Sequence, residues 1–550
     1  MSSHPPASVS AVRQSIDIGR LPWIRPLAVD YVHRFDQLAP FFAGNPADAH
    51  AWAAAVARAQ AHPRRRDEVA ALVAAQQRRR GAPPEAMAAS GRLADPRTVA
   101  IVTGQQAGLF GGPLFTLLKA ITALKLAEET ARTCRVPTLA VFWVEAEDHD
   151  WDEVSTCAVL DADLQRRTVA LERPSGAGEA PVASVRLEQS VAAAVDGLEA
   201  VLEPTDFSAA LLSRLRSAYR PGSGMADAFA CWMETLLGDR GLVVFDASDE
   251  AAKPLAAEVF AREFREPGQT PALAARAGQE MAERGYHSQV VPHLDGVSLF
   301  HLDGGRQPIR VEGGTLRAGA LTRAAAEWAR DAAEHPEHFS PNVLLRPIVQ
   351  DTMFPTACYV SGPNELAYQA QLGPVYGRFG VPMPLFFPRA TITLLDSAGA
   401  KFLDRYAVPL ESLQADDEAA LNRLLEAQLP ASVERALQEA SRVVGGAMES
   451  LIAEVPAIDP TLEGAARSTL GRMQHELQSL HAKTIQAAKR RDETLRRQFR
   501  RTRAQAFPDS HPQERAIGHV YFLSRYGPAL VDRLVADVPL DMGRHFVVTI

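Results

Sequence analysis

The segment Glu145-Ala146-Glu147-Asp148-His149-Asp150-Trp151-Asp152-Glu153 sets a run of carboxylates around one imidazole. Such a group can bind a divalent cation, hold a substrate ammonium, or supply a general base from His149, Asp148, Asp150 or Glu147. The plainer alternative is that acids gather at a helix start to complement its dipole, which needs only one or two of them. The second candidate is the loop Thr103-Gly104-Gln105-Gln106-Ala107-Gly108-Leu109-Phe110-Gly111-Gly112-Pro113. A strand-to-helix turn presents unpaired amides at a positive helix end and so can cradle phosphate or carboxylate. It is neither a Walker A loop nor a GxGxxG fingerprint, and it also reads as a tight turn that uses glycine for backbone angles alone. Gln105 and Gln106 add two adjacent amides. Arg346, set among apolar residues, is costly to bury unpaired. It either pairs with a carboxylate such as Asp351 or meets an anionic substrate, and Arg389 invites the same two readings. Cys358 has no histidine patterned with it and reads as a buried thiol. The basic run Lys489-Arg490-Arg491 to Arg503 reads as a solvated helix face, with a nucleotide or nucleic-acid site as the alternative.

The elements that position these residues follow from apolar periodicity. Thr98–Val102 and Leu139–Val144 are short buried strands flanking a helix-periodic segment from Leu114 to about Arg132, which makes one βαβ unit. Both candidate sites then fall at the carboxyl ends of parallel strands, the edge where open α/β sheets bind ligands. Residues 1–16 read as loose. A helix runs through Tyr31 to Phe41-Phe42, and residues 47–92 read as helices laid over the sheet. Residues 154–190 predict short antiparallel strands, Ala158-Val159-Leu160 and Val182-Ala183-Ser184-Val185, with Gly176 and Gly178 in the turn between them. Gly241–Asp246 is a further buried strand. Residues 286–312 are a second β insertion, with turns at Leu294-Asp295-Gly296 and Asp303-Gly304-Gly305. Ser340–Asp351 predicts a strand carrying Arg346 with Gln350 and Asp351 at its end. Thr356–Tyr368 repeats strand, Gly-Pro turn and helix, and Met383–Arg389 is a last core strand.

Beyond about residue 400 long helices take over. Leu470, Met473, Leu477 and Leu480 follow the 3-4-3 spacing of a coiled-coil seam, which Arg491 breaks. A short coiled coil or a long helical hairpin turning at Pro456–Pro460 fits this. Residues 512–537 predict another helix and Val547–Ile550 a closing strand. The expected domains are 1–395, an α/β core with insertions near 154–235 and 286–335, and a helical 396–550.

At 550 residues the chain exceeds a single hydrophobic core. A net charge of −8 argues against general nucleic-acid binding. Four scattered cysteines, with no metal-finger spacing, suit reduced thiols. With no apolar run long enough to span a bilayer and no signal-peptide layout at the start, the expectation is a soluble cytoplasmic protein.

Several stretches together resemble the bacillithiol-biosynthesis cysteine-adding enzymes, the BshC family. They are Val102–Phe110 with Gly112-Pro113-Leu114 and Lys119-Ala120; Phe142-Trp143 with Glu147-Asp148-His149-Asp150; and Asn342–Pro347 with Gln350-Asp351. Ala357–Pro363, Glu365-Leu366-Ala367-Tyr368, Pro388-Arg389, Gln513-Glu514-Arg515 and Tyr526-Gly527 extend the match over the chain. The resemblance implies a Rossmann-like, nucleotidyltransferase-type core with connecting-peptide insertions and a C-terminal α-helical coiled coil that makes a homodimer. It implies condensation of cysteine with the amine of glucosaminyl-malate, or of a related amino sugar, without a membrane or nucleic-acid partner. Amide formation in water is uphill, so the cysteine carboxyl needs activation, and ATP with Mg²⁺ is the expected means.

In that reading the loop with Gly104, Gln105, Gln106, Gly111 and Gly112 holds phosphate or carboxylate. His149 or a neighbouring Asp deprotonates the sugar ammonium, and Glu147, Asp148 or Asp150 binds Mg²⁺ or substrate ammonium. Arg346 or Arg389 grips the malate carboxylates. Asn342, Gln350, Asp351, Tyr359, Glu365 and Tyr368 complete the pocket. The HxGH motif and lysine-rich loop of adenylating relatives are missing, leaving Lys119 as the nearby cation. The rival expectation is a non-catalytic coiled-coil scaffold, or a nucleotide or RNA binder, acting through the basic helix 489–503.

Overall fold

The computed structural model describes residues 12–550 except 176, 178, 179, 304, 428–430 and 492. Five runs rich in Val, Ile, Leu and Phe form a parallel sheet, as expected of strands buried on both faces. They are β1 (Val99–Gln106), β2 (Thr138–Glu145), β3 (Val243–Asp246), β4 (Thr356–Ser361) and β5 (Leu385–Pro388), in the order β5-β4-β1-β2-β3. Helix α1 (Leu114–Cys134) crosses from β1 to β2. The chain builds outward from β1 in both directions, so the order reverses between β1 and β4. That reversal opens a crevice at their carboxyl ends.

Residues 342–353 depart from the strand expected there. The Asn342 side chain accepts from the amides of Leu344 and Leu345, and the Asn342 carbonyl accepts from Arg346 N–H. Pro347 lies in the first turn, where its missing N–H costs nothing. The result is helix α2 (Arg346–Met353), and Arg346 stands at its start. Leu344 and Leu345 are buried as strand residues would be, but the turn closed by Asn342 and the proline after Arg346 favour a helix start.

The two β insertions are present with altered membership. Thr156–Leu160 pairs antiparallel with Arg166–Ala170, whereas Val182–Ser184, expected as the partner strand, is a 3-10 turn after Pro181. Gly176 and Gly178, given to the turn, lie outside the described residues, as does Gly304. The second insertion is an antiparallel sheet of Gly296–Leu302, Arg306–Glu312, Thr315–Ala318, Leu321–Arg323 and Phe339–Pro341.

Residues 1–11 lie outside the described residues, but Val12–Asp17, read as loose, is a strand. It pairs antiparallel with Arg544–Thr549 and buries Ile16. Its partner lies at the other end of the chain, where no local pattern reveals it. Residues 512–537 form three short helices, Gln513–Ala516, His519–Tyr526 and Ala529–Asp537, divided at Gly518 and at Gly527-Pro528.

Two compact units result. The first joins residues up to Leu394 with Pro512–Ile550, and the second is Leu395–His511. The second contains a hairpin of long helices, Ala431–Glu454 and Leu462–Arg491, joined through a turn at Val455–Ala457, and then Glu493–Ala506. Within it, Arg501 and Arg503 pair with Asp396 and Asp416.

Arg389 is spent inside the first unit. Its guanidinium donates in a fork to Glu514 at 2.8 and 3.0 Å, both side chains are almost fully buried, and Glu514 also accepts from Ile392 N–H. It is therefore a structural tie, unavailable to a malate carboxylate. Burial would raise the Glu514 pKa, but the Arg389 charge outweighs it and holds the carboxyl below its ordinary value. Glu514→Gln leaves a buried cation unpaired and should cost roughly 3–5 kcal/mol in urea unfolding at neutral pH. A depressed folded pKa gives stability that is present above the unfolded value, near 4.3, and is lost as pH falls through the folded one. The gap between wild type and Glu514→Gln should therefore narrow below about pH 4.

Candidate functional site

The crevice between β1 and β4 holds a cavity of about 170 Å³. Gly104, Gln105 and Gln106 come to it from β1, Trp143 and Glu145 from β2, and Tyr359 from β4. Helix α2 supplies Arg346 and Gln350, α1 supplies Lys119, and the turn after β4 supplies Glu365 and Tyr368. Gly104 is needed for space, since a Cβ there would lie 3.0 Å from the Trp143 carbonyl and 3.4 Å from the Tyr359 hydroxyl.

Lys119 is buried, and its ammonium donates to the Gly104 carbonyl (2.9 Å), the Gln105 Oε1 (3.0 Å) and the Glu365 carboxylate (2.7 Å). Its three N–H bonds are accounted for, which makes it a strut of the wall. Burial works to raise Glu365, but Lys119 prevails and keeps it below the ordinary carboxylate range, hence ionised. Arg346 is differently placed. It meets Glu145 at 3.3 Å with the Tyr359 and Tyr368 phenols beside it, and its side chain stays 27% exposed, against 2% for Arg389. Such a guanidinium has N–H groups left for a ligand. Burial raises the Tyr359 and Tyr368 phenols, so both remain protonated hydroxyl groups.

The rear of the glycine loop does something else. Gly111 and Gly112 have φ of +86° and +75°. Gly111 N–H donates to Tyr219 Oη and the Gly108 carbonyl, and Gly112 N–H to the Leu109 carbonyl. A Cβ on Gly111 would lie 2.4 Å from His519 and 2.6 Å from Trp232. These amides are occupied, so this part of the loop does not fit a phosphate.

The acidic cluster is parted among neighbours. Glu145 ends β2 and meets Arg346. Glu147 is buried in an ion pair with Lys253, which also donates to the Phe339 carbonyl. That pair borders a larger cleft of about 660 Å³, together with Asp246, Asp249, Arg79 and Arg186. Asp148 lies 3.3 Å from Arg306 and 3.3 Å from His149 Nδ1, and the His149 side chain is half exposed. Asp150 caps the short helix Trp151–Val154 by accepting from Glu153 N–H, the bland role weighed for it. Asn342 holds the turn that leads into α2, its side chain accepting from the Leu344 and Leu345 amides. Asp351 is buried outside the cavity lining and accepts from Tyr376 O–H (2.6 Å) and Gln350 (2.9 Å), and burial pushes its pKa up to about 6. It does not pair with Arg346, whose partner is Glu145. Cys358 is fully buried and its thiol is raised by burial.

Trp143 and Glu145, the latter the first acid of the cluster, were given no individual role by the sequence, yet both line the cavity. They are two apart on one strand and so share a face, and that period of two was the signal available.

Two family models cover the chain: "Bacillithiol biosynthesis BshC, N-terminal Rossmann-like domain" over residues 14–390, and its "C-terminal coiled-coil domain" over 392–550. Relatives carrying the name "Putative cysteine ligase BshC" include one from Salinibacter ruber, 36% identical over 95% of this chain and 96% of its own. Another, from Koribacter versatilis, is 33% identical over 97% and 99%. A third, from Solibacter usitatus, is 32% identical over 98% and 99%.

The packed rear of the loop can be checked directly. Gly111→Ala adds both a clash and a left-handed backbone that alanine resists, and should cost about 3 kcal/mol in urea unfolding. A phosphate-cradle role would instead leave stability intact and weaken ligand binding.

Proposed function

Because the chain belongs to the BshC family of bacillithiol biosynthesis, we propose that it is a cytoplasmic ligase joining the carboxyl of cysteine to the amine of glucosaminyl-malate or a related amino sugar. The observation that carries this reading is the 170 Å³ cavity at the β1–β4 switch point, with the partly exposed Arg346 guanidinium on its wall. A volume below the usual range of about 300–1,000 Å³ for drug-sized ligands suits a small anionic group. Arg346 takes a substrate carboxylate there, that of the malyl moiety, and Gln350 and the Tyr359 and Tyr368 hydroxyl groups border it. His149 is the proposed base. Asp148 faces its Nδ1 and orients the ring, leaving Nε2 to remove a proton from the attacking amine. The larger cleft beside Glu147 and Lys253 is roomy enough for the rest of the conjugate or for the second substrate.

Amide formation requires an activated cysteine carboxyl, and ATP with Mg²⁺ is the activating pair proposed. The occupied amides of Gly111 and Gly112 do not suit its phosphates, so no step is routed through that loop. Homodimerisation is proposed through the helical hairpin, where Met473 and Leu480 of the heptad seam are 43% and 52% exposed. In sedimentation, wild type should run as a dimer and Leu480→Glu should shift toward monomer.

The enzyme reading is tested by incubating the protein with cysteine, ATP and glucosaminyl-malate and detecting the cysteinyl conjugate by mass. Arg346→Ala should lower kcat/KM by about 100-fold, the scale of a lost charged hydrogen bond. His149→Ala should lower kcat by 10² or more, on the order expected of a general base. Charge reversal at Arg496 and Arg500 should leave turnover intact. The scaffold alternative expects the reverse pattern, with function lost only in the arginine variants.

A further inference from the structure

A cluster separate from the switch-point cavity lies in the second β insertion. Strand Gly296–Leu302 supplies His301, helix Ala325–Glu334 supplies Asp331, and the turn Pro336–His338 supplies His338. One ligand-capable atom from each lies within 4.8 Å of the other two. His338 Nδ1 stands 3.4 Å from Asp331 Oδ1. Neighbouring ligands take about that spacing on a tetrahedral ion held at about 2.0–2.1 Å from each.

His301 carries the second observation. It is 7% exposed, and its Nδ1 is buried with no hydrogen-bond partner among the described residues. Buried polar atoms are normally paired, so an orphaned imidazole nitrogen calls for a ligand. Trp328 and Phe339 pack edge-on against the ring and fix its plane. Asp331 is held in turn: its Oδ2 accepts from Arg323 Nη1 at 2.8 Å, and Arg323 lies over the Trp328 ring. That leaves Oδ1 as the single oxygen offered. An outer partner that orients a ligand in this way is a regular part of metal sites.

We propose that His301, Asp331 and His338 bind one divalent transition-metal ion of the zinc class. Two imidazoles and one carboxylate oxygen suit Zn²⁺, Ni²⁺ or Cu²⁺, whereas Mg²⁺ and Ca²⁺ require oxygen ligands. Arg323 cancels the Asp331 charge, so the imidazoles carry the affinity, which strengthens that discrimination. The ligands come from a strand, a helix and a turn, and Phe339, next to His338, is the cross-strand partner of His301. The ion therefore clips the helix to the sheet, a structural task. His335 and Glu337 form an overlapping group that shares His338, but both are exposed. The buried His301 selects the first triad.

Untagged full-length protein, stripped with chelator, loaded with Zn²⁺ and dialysed, should retain about one ion per chain by elemental analysis. Co²⁺ in its place should show the visible absorption of an N/O-ligated ion near tetrahedral geometry. His338→Ala, at a 44% exposed side chain, and His301→Gln should each weaken Zn²⁺ binding by more than about 10-fold. His335→Ala should leave binding unchanged. Zn²⁺ should raise the melting temperature of wild type and not of His338→Ala. Absence of retained Zn²⁺ in wild type overturns the proposal. So does Zn²⁺ held equally by His338→Ala and His301→Gln, or binding lost in His335→Ala but kept in His301→Gln.

Discussion

A buried ammonium must give each N–H to an acceptor or pay a desolvation cost of several kcal/mol. Lys119 meets that demand with the Gly104 carbonyl, the Gln105 side chain and Glu365. The first two belong to the end of β1 and the third to the turn that follows β4. The lysine thus ties together the two strand ends that the sheet's reversal of order leaves apart, and the mouth of the cavity has a fixed width because of it. Gly104 lets the neighbouring strands close in, and Tyr359 uses the space.

Around that tie, strand pleating sorts the charges. Glu145 shares a face with Trp143 and turns to Arg346. Glu147, past the end of the strand, meets Lys253, and Asp148 meets Arg306. Each carboxylate has a cation drawn from a different element, so acids crowded in sequence are partly neutralised and held apart in space. Arg346 and Arg389 divide in the same manner. One meets Glu145 at 3.3 Å and stays partly exposed at a cavity wall, and the other is locked by two hydrogen bonds to a carboxylate in the core.

The parallel core was legible because strands buried on both faces carry apolar runs, as Val99–Val102 in β1, Leu139–Val144 in β2 and Leu385–Phe387 in β5 do. Gly104, Gln105 and Gln106 were legible from their place at a strand end, whereas Lys119, Gln350, Tyr359, Glu365 and Tyr368 were expected through the family resemblance, and all of them line the cavity with Arg346. Which arginine faces the cavity was not legible, because the answer lies in Glu514, far along the chain. The fate of Gly111 was hidden likewise, as His519 and Trp232 crowd it from distant helices. At residues 342–346 the local signals conflicted, and the turn closed by Asn342 outweighed two buried leucines.

The pairing of Val12–Asp17 with Arg544–Thr549 bears on how the molecule is made. During synthesis the first of these strands emerges more than five hundred residues before its partner. Arg389 waits too, since Glu514 leaves the ribosome more than a hundred residues after it. Contacts of such long sequence separation close slowly, because the loop entropy is lost before the contact rewards it. The first unit is therefore completed only once residues 512–550 have been made, and until then the nascent chain carries an unpaired strand edge and an uncompensated cation.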